Sequence, residues 1–254
     1  NDRIMGVAGL NGDPAYPDKS PRQTPPVGLG KLGDRIATGF DKLGWHWWPS
    51  DSAVNTVAYD GREGCNNCGP CDLGCPIKAK ASTDVTYWPK ALASGAKLVT
   101  EARVREITIN HKGLADGVIY YDSNGNVREL KAKVVVMACN GVGTPRLLLN
   151  SKSGLFPDGL GNSNGMVGKN LMFHPYASVT GQFEEDLEGH KGPSPLNIMR
   201  SEHYETDLSR GFVRGYAYQV VRSIAPVGTS LSGYVPWGKR HHQDFKERFN
   251  RTIT

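Results

Sequence analysis

Four of the five cysteines fall within eleven residues, in Cys65-Asn-Asn-Cys68-Gly-Pro-Cys71-Asp-Leu-Gly-Cys75-Pro76. No other stretch constrains the chain so tightly. Thiols spaced this closely meet only if the backbone turns at every step, so the segment gathers sulfur at one point. That point is a metal, a cluster or a pair of disulfides.

The spacing C-x2-C-x2-C-x3-C-P is the run with which bacterial ferredoxins hold iron–sulfur clusters, because short turns aim successive sulfurs into one small volume. Cys65, Cys68, Cys71 and Cys75 are therefore the candidate metal ligands. A two-cluster ferredoxin carries the run twice, whereas the remaining thiol here, Cys139, is isolated. Zinc also accepts four thiolates, but its structural sites usually split them into two knuckles. Disulfides or buried thiols remain open, because they depend on a redox compartment that the sequence does not declare.

Composition narrows the class. A chain of 254 residues with a hydrophobic share of 38% is long enough to bury a core. No run of eighteen or more apolar residues is present, so no transmembrane helix is expected. Thirty basic and 25 acidic residues give a net charge of +5, with a local basic excess only near Lys239-Arg240-His241-His242. A nucleic-acid face clusters its cations more heavily, so none is expected. The first residue, Asn1, is not preceded by a methionine or leader, and the chain reads as a middle piece of something longer.

Residues 1–31 are turn-rich, and loops of that length usually cover something. Leu32, Ile36, Phe40 and Leu43 recur at helical spacing and stop at Gly44, which predicts an amphipathic helix. Trp45-His46-Trp47-Trp48 reads as packing anchors in preference to a substrate wall. Residues 55–59 read as a short strand feeding Asp60-Gly61. After the cysteines, Ser82 or Thr83 is expected to cap a helix through Val85, Trp88 and Leu92, kinked or restarted at Pro89 and ending at Ser94-Gly95.

Residues 97–100 and 103–109 read as strands. Residues 117–121 and 127–130, joined by Ser123-Asn124-Gly125-Asn126, read as a hairpin, since Asn-Gly between alternating apolar runs is the best short-range hairpin signal. Lys133-Val-Val-Val-Met-Ala138 is continuously apolar, as a parallel strand buried on both faces must be. It leads into Asn140-Gly141-Val-Gly143-Thr144-Pro145, with Thr144 expected as N-cap and Pro145 at the first helical position. Strand, glycine-rich turn and helix start together present backbone N–H groups where a phosphate can sit. Residues 177–183 and 212–221 read as strands of a second, antiparallel domain beginning near Pro175.

In this order the pieces resemble the glucose-methanol-choline family of FAD-dependent oxidoreductases, of the cysteine-rich CxxCGxCxxGC type. The resemblance rests on residues 61–83, Ala102-Arg-Val-Arg-Glu-Ile107, residues 134–151 and Val167-Gly-Lys-Asn-Leu-Met-Phe-His174. It implies an incomplete α/β FAD-binding domain, Rossmann-like with a β-meander, plus part of an α+β antiparallel-sheet substrate domain. Residues 1–60 would be a loop-rich covering segment, 61–174 the FAD-binding part with its cysteine-rich insert, and 175–254 the start of the substrate domain. Residues 98–145 would hold the adenosine half of the nucleotide in a parallel layer.

Carried over residue by residue, the cofactor contacts would be Val104, Ala138, Cys139, Asn140, Gly141, Gly143, Thr144 and Pro145. Asn140 stands where many members have glycine and is the residue best able to replace it at positive φ. The family's pyrophosphate-binding Gly-x-Gly-x-x-Gly turn and its proton-accepting histidine are expected outside residues 1–254, so no catalytic residue is assigned. His174 matches a motif histidine read as structural. The implied reaction is oxidation of a CH–OH group in an alcohol, polyol or sugar by hydride transfer to FAD. An iron–sulfur cluster on the four cysteines and an acceptor protein such as a cytochrome are the implied electron outlets. The alternative is a cysteine-organised iron–sulfur or other metal-binding electron-transfer module without flavin chemistry of its own.

Overall fold

The computed structural model describes residues 1–15, 19–71, 73–193, 196–222, 226–231 and 235–253; Asp72 of the cysteine run and 16–18 of the N-terminal loops lie outside them. The elements run α1 (Asp2–Met5), α2 (Gly30–Lys42), β1 (Trp48–Pro49), α3 (Tyr87–Ala93), β2 (Arg103–Ile109), β3 (Ala115–Tyr121), β4 (Val127–Lys131), α4 (Asn140–Asn150), β5 (Gly181–Gln182), β6 (Leu196–Arg200), a 3-10 turn Leu208–Arg210, β7 (Tyr218–Val221), α5 (Pro226–Leu231), α6 (His241–Arg248) and β8 (Thr252–Ile253). They form two compact units. One comprises Asn1–Gly95 with Ala177–Thr254, the other Ala96–Tyr176.

In the first unit the helical spacing predicted for α2 is realised. Leu32 and Ala37 are buried with Leu187, Ile198 and Val220, and Leu29, Ile36, Phe40, Trp47 and Phe183 pack around them. Leu43, the last residue of the expected stripe, follows the helix as its C-cap and is exposed, and Gly44 turns the chain at φ 64°. The core is completed by an antiparallel sheet in the order β1-β6-β7, with Trp48 opposite Met199 and Met199 opposite Gln219. β5 and β8 form a separate two-stranded pair.

The tryptophan cluster serves packing, as expected. The Arg200 guanidinium is buried 4.6 Å from the Trp45 ring and 5.6 Å from Tyr218. It is held by Glu202 Oε2 at 2.5 Å and His203 Nδ1 at 2.7 Å. Such a charge is tolerated inside only because aromatic faces and hydrogen bonds replace its water.

Of the strands expected over 177–183 and 212–221, only Gly181–Gln182 and Tyr218–Val221 pair. Strand character is conferred by a neighbouring edge, and the rest of those segments meets none among the described residues. Conversely, β6 was not legible as a strand because its partners, β1 and β7, come from distant parts of the chain.

The second unit is an antiparallel sheet β2-β3-β4 with α4 against it. Ser151 ties the two together: its Oγ donates to Leu147 O at 2.7 Å and accepts from Ile107 N at 2.8 Å, beside the buried side chains of Leu147 and Ile107. The Asn-Gly hairpin forms as expected, with Gly125 at φ 79° and Tyr121 opposite Val127.

Several expectations are corrected. Residues 97–100 form no strand, and neither do residues 133–138, where Val134 and Val136 are exposed at 75% and 81%. Consequently residues 98–145 form no parallel layer among the described residues. Every named strand pair is antiparallel, because no described edge lies beside 133–138 to take its N–H and C=O groups. Finally, helix starts shift: α3 begins after Thr86, placing Pro89 within its first turn, and α4 begins after Cys139, placing Pro145 inside it.

Asp122 organises the hairpin turn. Its carboxylate accepts from Asn124 N, Asn126 N and Arg128 Nε at 2.9–3.0 Å, and Arg128 chiefly holds it below the ordinary carboxylate range. A depressed carboxylate contributes stability above its unfolded pKa and loses it as pH falls through the folded value. Asp122→Asn is therefore expected to speed hydrogen exchange at the amides of Asn124 and Asn126 near neutral pH. The difference from wild type should shrink as pH drops below the ordinary carboxylate pKa of about 3.9. A pH-independent difference would contradict this assignment.

Candidate functional site

The cysteine turn is a loop clamped at its neck. Asp60 and Gly61 both have positive φ, 49° and 72°, as a type I′ turn requires, and they reverse the chain between the paired residues Tyr59 and Arg62. On one side Cys65 N donates to Asn55 O at 2.8 Å. On the other, Asn55 N donates to Ala79 O at 3.0 Å and Ala81 N to Ala53 O at 2.7 Å. Residues 66–78 therefore leave and return through one backbone junction.

Arg62 fills that junction. Its Nη2 donates to Met5 O at 2.7 Å and Asn55 Oδ1 at 3.0 Å, while Nη1 donates to Lys78 O and Ala79 O, each at 3.3 Å. Asn55, fully buried, donates from Nδ2 to Tyr59 O and Arg62 O. This pair ties α1 and both ends of the loop together. Sequence reasoning missed it, since neither residue type is expected inside.

Within the loop, Asn67 N donates to Cys65 Sγ and Lys80 N to Cys75 Sγ, both at 3.4 Å, and Lys80 Nζ donates to Cys71 O at 2.9 Å. All five cysteines are free thiols. Cys71 is buried and Cys68 exposed. Burial, followed by the neighbouring sulfurs of Cys71, Cys68 and Cys75, pushes the Cys65 thiol up, while the Asn67 N–H opposes them. The expected ligand set Cys65, Cys68, Cys71 and Cys75 lies on this one loop. It does not form a ready metal site: among the described residues no three His, Cys, Asp or Glu side chains are placed to hold a metal ion. Asn67, Gly69 and Gly74 all have positive φ, and these turns carry the sulfurs into different environments.

The expected nucleotide contacts lie in the second unit. Val104 is in β2, opposite Tyr120 and 40% exposed. Ala138 and Cys139 lead into α4, whose first turn holds Asn140, Gly141 and Gly143, with Thr144 and Pro145 following. Asn140 takes φ 64°, as expected of a glycine substitute. Thr144 is not the N-cap residue, but its Oγ1 accepts from Cys139 N at 3.3 Å and closes the turn from within the helix. A β-carbon at Gly141 would meet nothing within 4 Å.

The first amides of a helix lack intrahelical acceptors, and the positive end of the helix dipole favours an anion there. An open glycine stands at that end, following an exposed apolar segment. A cleft of about 660 Å³ in this unit, lined by Asn150, Lys152, Asp158, Ser163 and Lys169 among others, was not legible in the sequence. His174 is exposed, 6.2 Å from the Tyr176 ring, and takes part in no grouping of functional side chains among the described residues.

A family model described as GMC oxidoreductase matches residues 37–176. The chain is 44% identical over 260 residues to 2-methyl-1,2-propanediol dehydrogenase from Mycolicibacterium austroafricanum, covering 100% of this chain and 47% of that protein. It is 36% identical over 262 residues to the fructose dehydrogenase large subunit of Gluconobacter japonicus, covering 96% and 45%. With paromamine 6'-oxidase from Streptomyces fradiae it shares 26% identity over 228 residues, covering 86% and 41%. The chain thus spans about half the length of the curated relatives it matches.

Proposed function

The chain belongs to the GMC oxidoreductase family, and from that premise we propose that it is part of a flavin-dependent oxidoreductase oxidising the CH–OH group of an alcohol, polyol or sugar. The observation that carries this reading is the 44% identity to a diol dehydrogenase along the whole chain. The fructose dehydrogenase subunit widens the substrate class to sugars.

FAD, when bound, supplies the hydride acceptor. The chain's own contribution is to hold it: Val104 and Ala138 would flank the adenosine half, and the amides around Cys139, Asn140, Gly141 and Gly143 would meet its phosphates, with Thr144 and Pro145 fixing the helix start. The support is the family match together with the open helix terminus. The proposed division is a covering segment 1–60, a FAD-binding part 61–174 with the cysteine insert, and the start of a substrate domain at 175.

A second reading concerns the electron outlet. The N–H···S bonds to Cys65 and Cys75 favour a turn that supports sulfur anions. Hydrogen bonds of this kind tune cysteine-ligated clusters. On this reading the cysteine-rich subtype carries an iron–sulfur cluster or other metal and passes electrons to an acceptor such as a cytochrome.

Both readings are tested on the purified full-length protein. Anaerobic addition of 1,2-diols and ketose sugars is expected to bleach oxidised-flavin absorbance with at least one substrate, and a flavoprotein that none reduces would overturn the substrate class. Iron and acid-labile sulfide in the same preparation would support the outlet, and the absence of both would remove it.

A further inference from the structure

Helix α2, in the first unit, begins without a side-chain cap. Its N-cap residue is Leu29, and no acid stands in its first turn. Leu29 is right-handed, at φ −65° and ψ −36°, and Gly30 swings over to φ 62°. A right-handed residue followed by a left-handed one turns successive backbone N–H groups toward one concave point, a nest for an anion. The N–H groups of Gly30 and Lys31 have no intrahelical acceptor, and no described residue accepts from them.

A buried cation stands beside that point. Arg222, next after β7, is only 7% exposed. Its Nη1 donates to Lys191 O at 2.6 Å and its Nη2 to Gly28 O at 2.7 Å. Both acceptors are neutral, and the buried Nε has no hydrogen-bond partner among the described residues. No described carboxylate pairs with the guanidinium: Glu188 is taken instead by Lys31 Nζ and Lys191 Nζ, at 2.8 Å each. A buried guanidinium without a counter-ion is costly, so a fold that keeps one does best with an anion beside it.

The room for an anion adjoins both features. A β-carbon built on Gly30 would meet one atom within 4 Å outside its own helix, Arg222 Nη1 at 3.5 Å, and one built on Gly28 would meet nothing. Both glycines are exposed, so the opening faces solvent. Gly192, at φ 91°, closes the guanidinium from another side, where a β-carbon would come within 2.7 Å of Cζ. A guanidinium has five N–H donors, and this one spends two on carbonyls. The donors left over, together with the helix amides, suit the three acceptor oxygens of a phosphoryl group better than the two of a carboxylate.

We propose that the N-terminus of α2 and Arg222 form a binding site for a phosphoryl anion, either free phosphate or the phosphate of a small ester. Gly30 and Lys31 supply amides, Arg222 supplies the charge, and Gly28 and Gly30 leave the space. None of the proposed flavin contacts takes part, so the site goes beyond the flavoenzyme reading and stands whether or not flavin is bound.

The test is calorimetric titration of purified full-length protein with inorganic phosphate, against chloride at the same ionic strength. Wild type is expected to bind phosphate with a Kd of about 1 mM or tighter and to show no binding of chloride. Arg222→Gln, which retains donors toward Gly28 and Lys191 but removes the charge, is expected to weaken phosphate binding about ten-fold or more. Arg222→Lys should weaken it less, since an ammonium keeps the charge without the fork. A wild type that binds phosphate no better than chloride overturns the proposal, and so does wild-type affinity in Arg222→Gln. Glycerol phosphate as the titrant separates the two sources: tighter binding of the ester identifies a phosphorylated metabolite, and tighter binding of the inorganic ion identifies free phosphate.

Should Arg222→Gln fail to fold, Gly30→Asp decides. Aspartate is among the residues that tolerate positive φ, and its carboxylate would fill the space beside Nη1. Phosphate binding is expected to be lost in this variant, and wild-type affinity there overturns the proposal.

Discussion

Replacing Arg62 with methionine is expected to lower the stability of the full-length protein by about 3–5 kcal/mol, measured by urea unfolding. Methionine restores most of the volume, so the loss reports polar groups and not a cavity. Four acceptors are stranded: Met5 O, Asn55 Oδ1, Lys78 O and Ala79 O. Each buried group left unmade costs about 1–3 kcal/mol, reduced where water reaches it.

Arg62→Lys is expected to fall between the two, because an ammonium is one point charge and cannot reproduce a planar fork spanning four oxygens. The damage should be local first. Limited proteolysis is expected to cut residues 62–81 before the core around Leu32 and Ile198, since the junction closes the cysteine loop. A variant with a wild-type urea midpoint and an uncut loop would show that the backbone pairing at Asn55 and Ala79 suffices without the guanidinium.

Arg62 also shows where the sequence stopped being legible. Patterned elements were readable: α2 from Leu32, Ile36 and Phe40, and the hairpin from Asn124-Gly125, because spacing and turn chemistry are local. The positive φ of Asn140 was readable for the same reason. The buried cations Arg62, Arg200 and Arg222 were not, since burial of a charge is decided by acceptors and rings brought from far along the chain. Arg200, for instance, meets Trp45 and Tyr218.

Residues 133–138 mark the opposite failure. Their composition is that of a buried parallel strand, yet a strand exists only beside a partner edge, and none of the described residues provides one. Of the candidate sites, the cysteine turn was legible in position but not in its clamp. The helix start at Asn140 was legible in its glycines but five residues out of register.

The second large effect concerns the nucleotide. Gly141→Val adds a side chain where a β-carbon meets open space, and valine is a better helix former than glycine. The substitution therefore leaves the described structure intact and strikes only a ligand that approaches the backbone there. A phosphate held by these amides would be pushed away by the branched side chain, and each 1.4 kcal/mol of lost binding is a factor of about ten in affinity.

The decisive measurement is the ratio of FAD to protein in purified full-length wild type and Gly141→Val, read by absorbance after heat release of the flavin. The account predicts close to one FAD per wild-type chain and a clearly substoichiometric content in the variant, with the thermal midpoint of the flavin-free protein unchanged. A wild-type protein without flavin, or a variant that retains its full complement, would contradict the account.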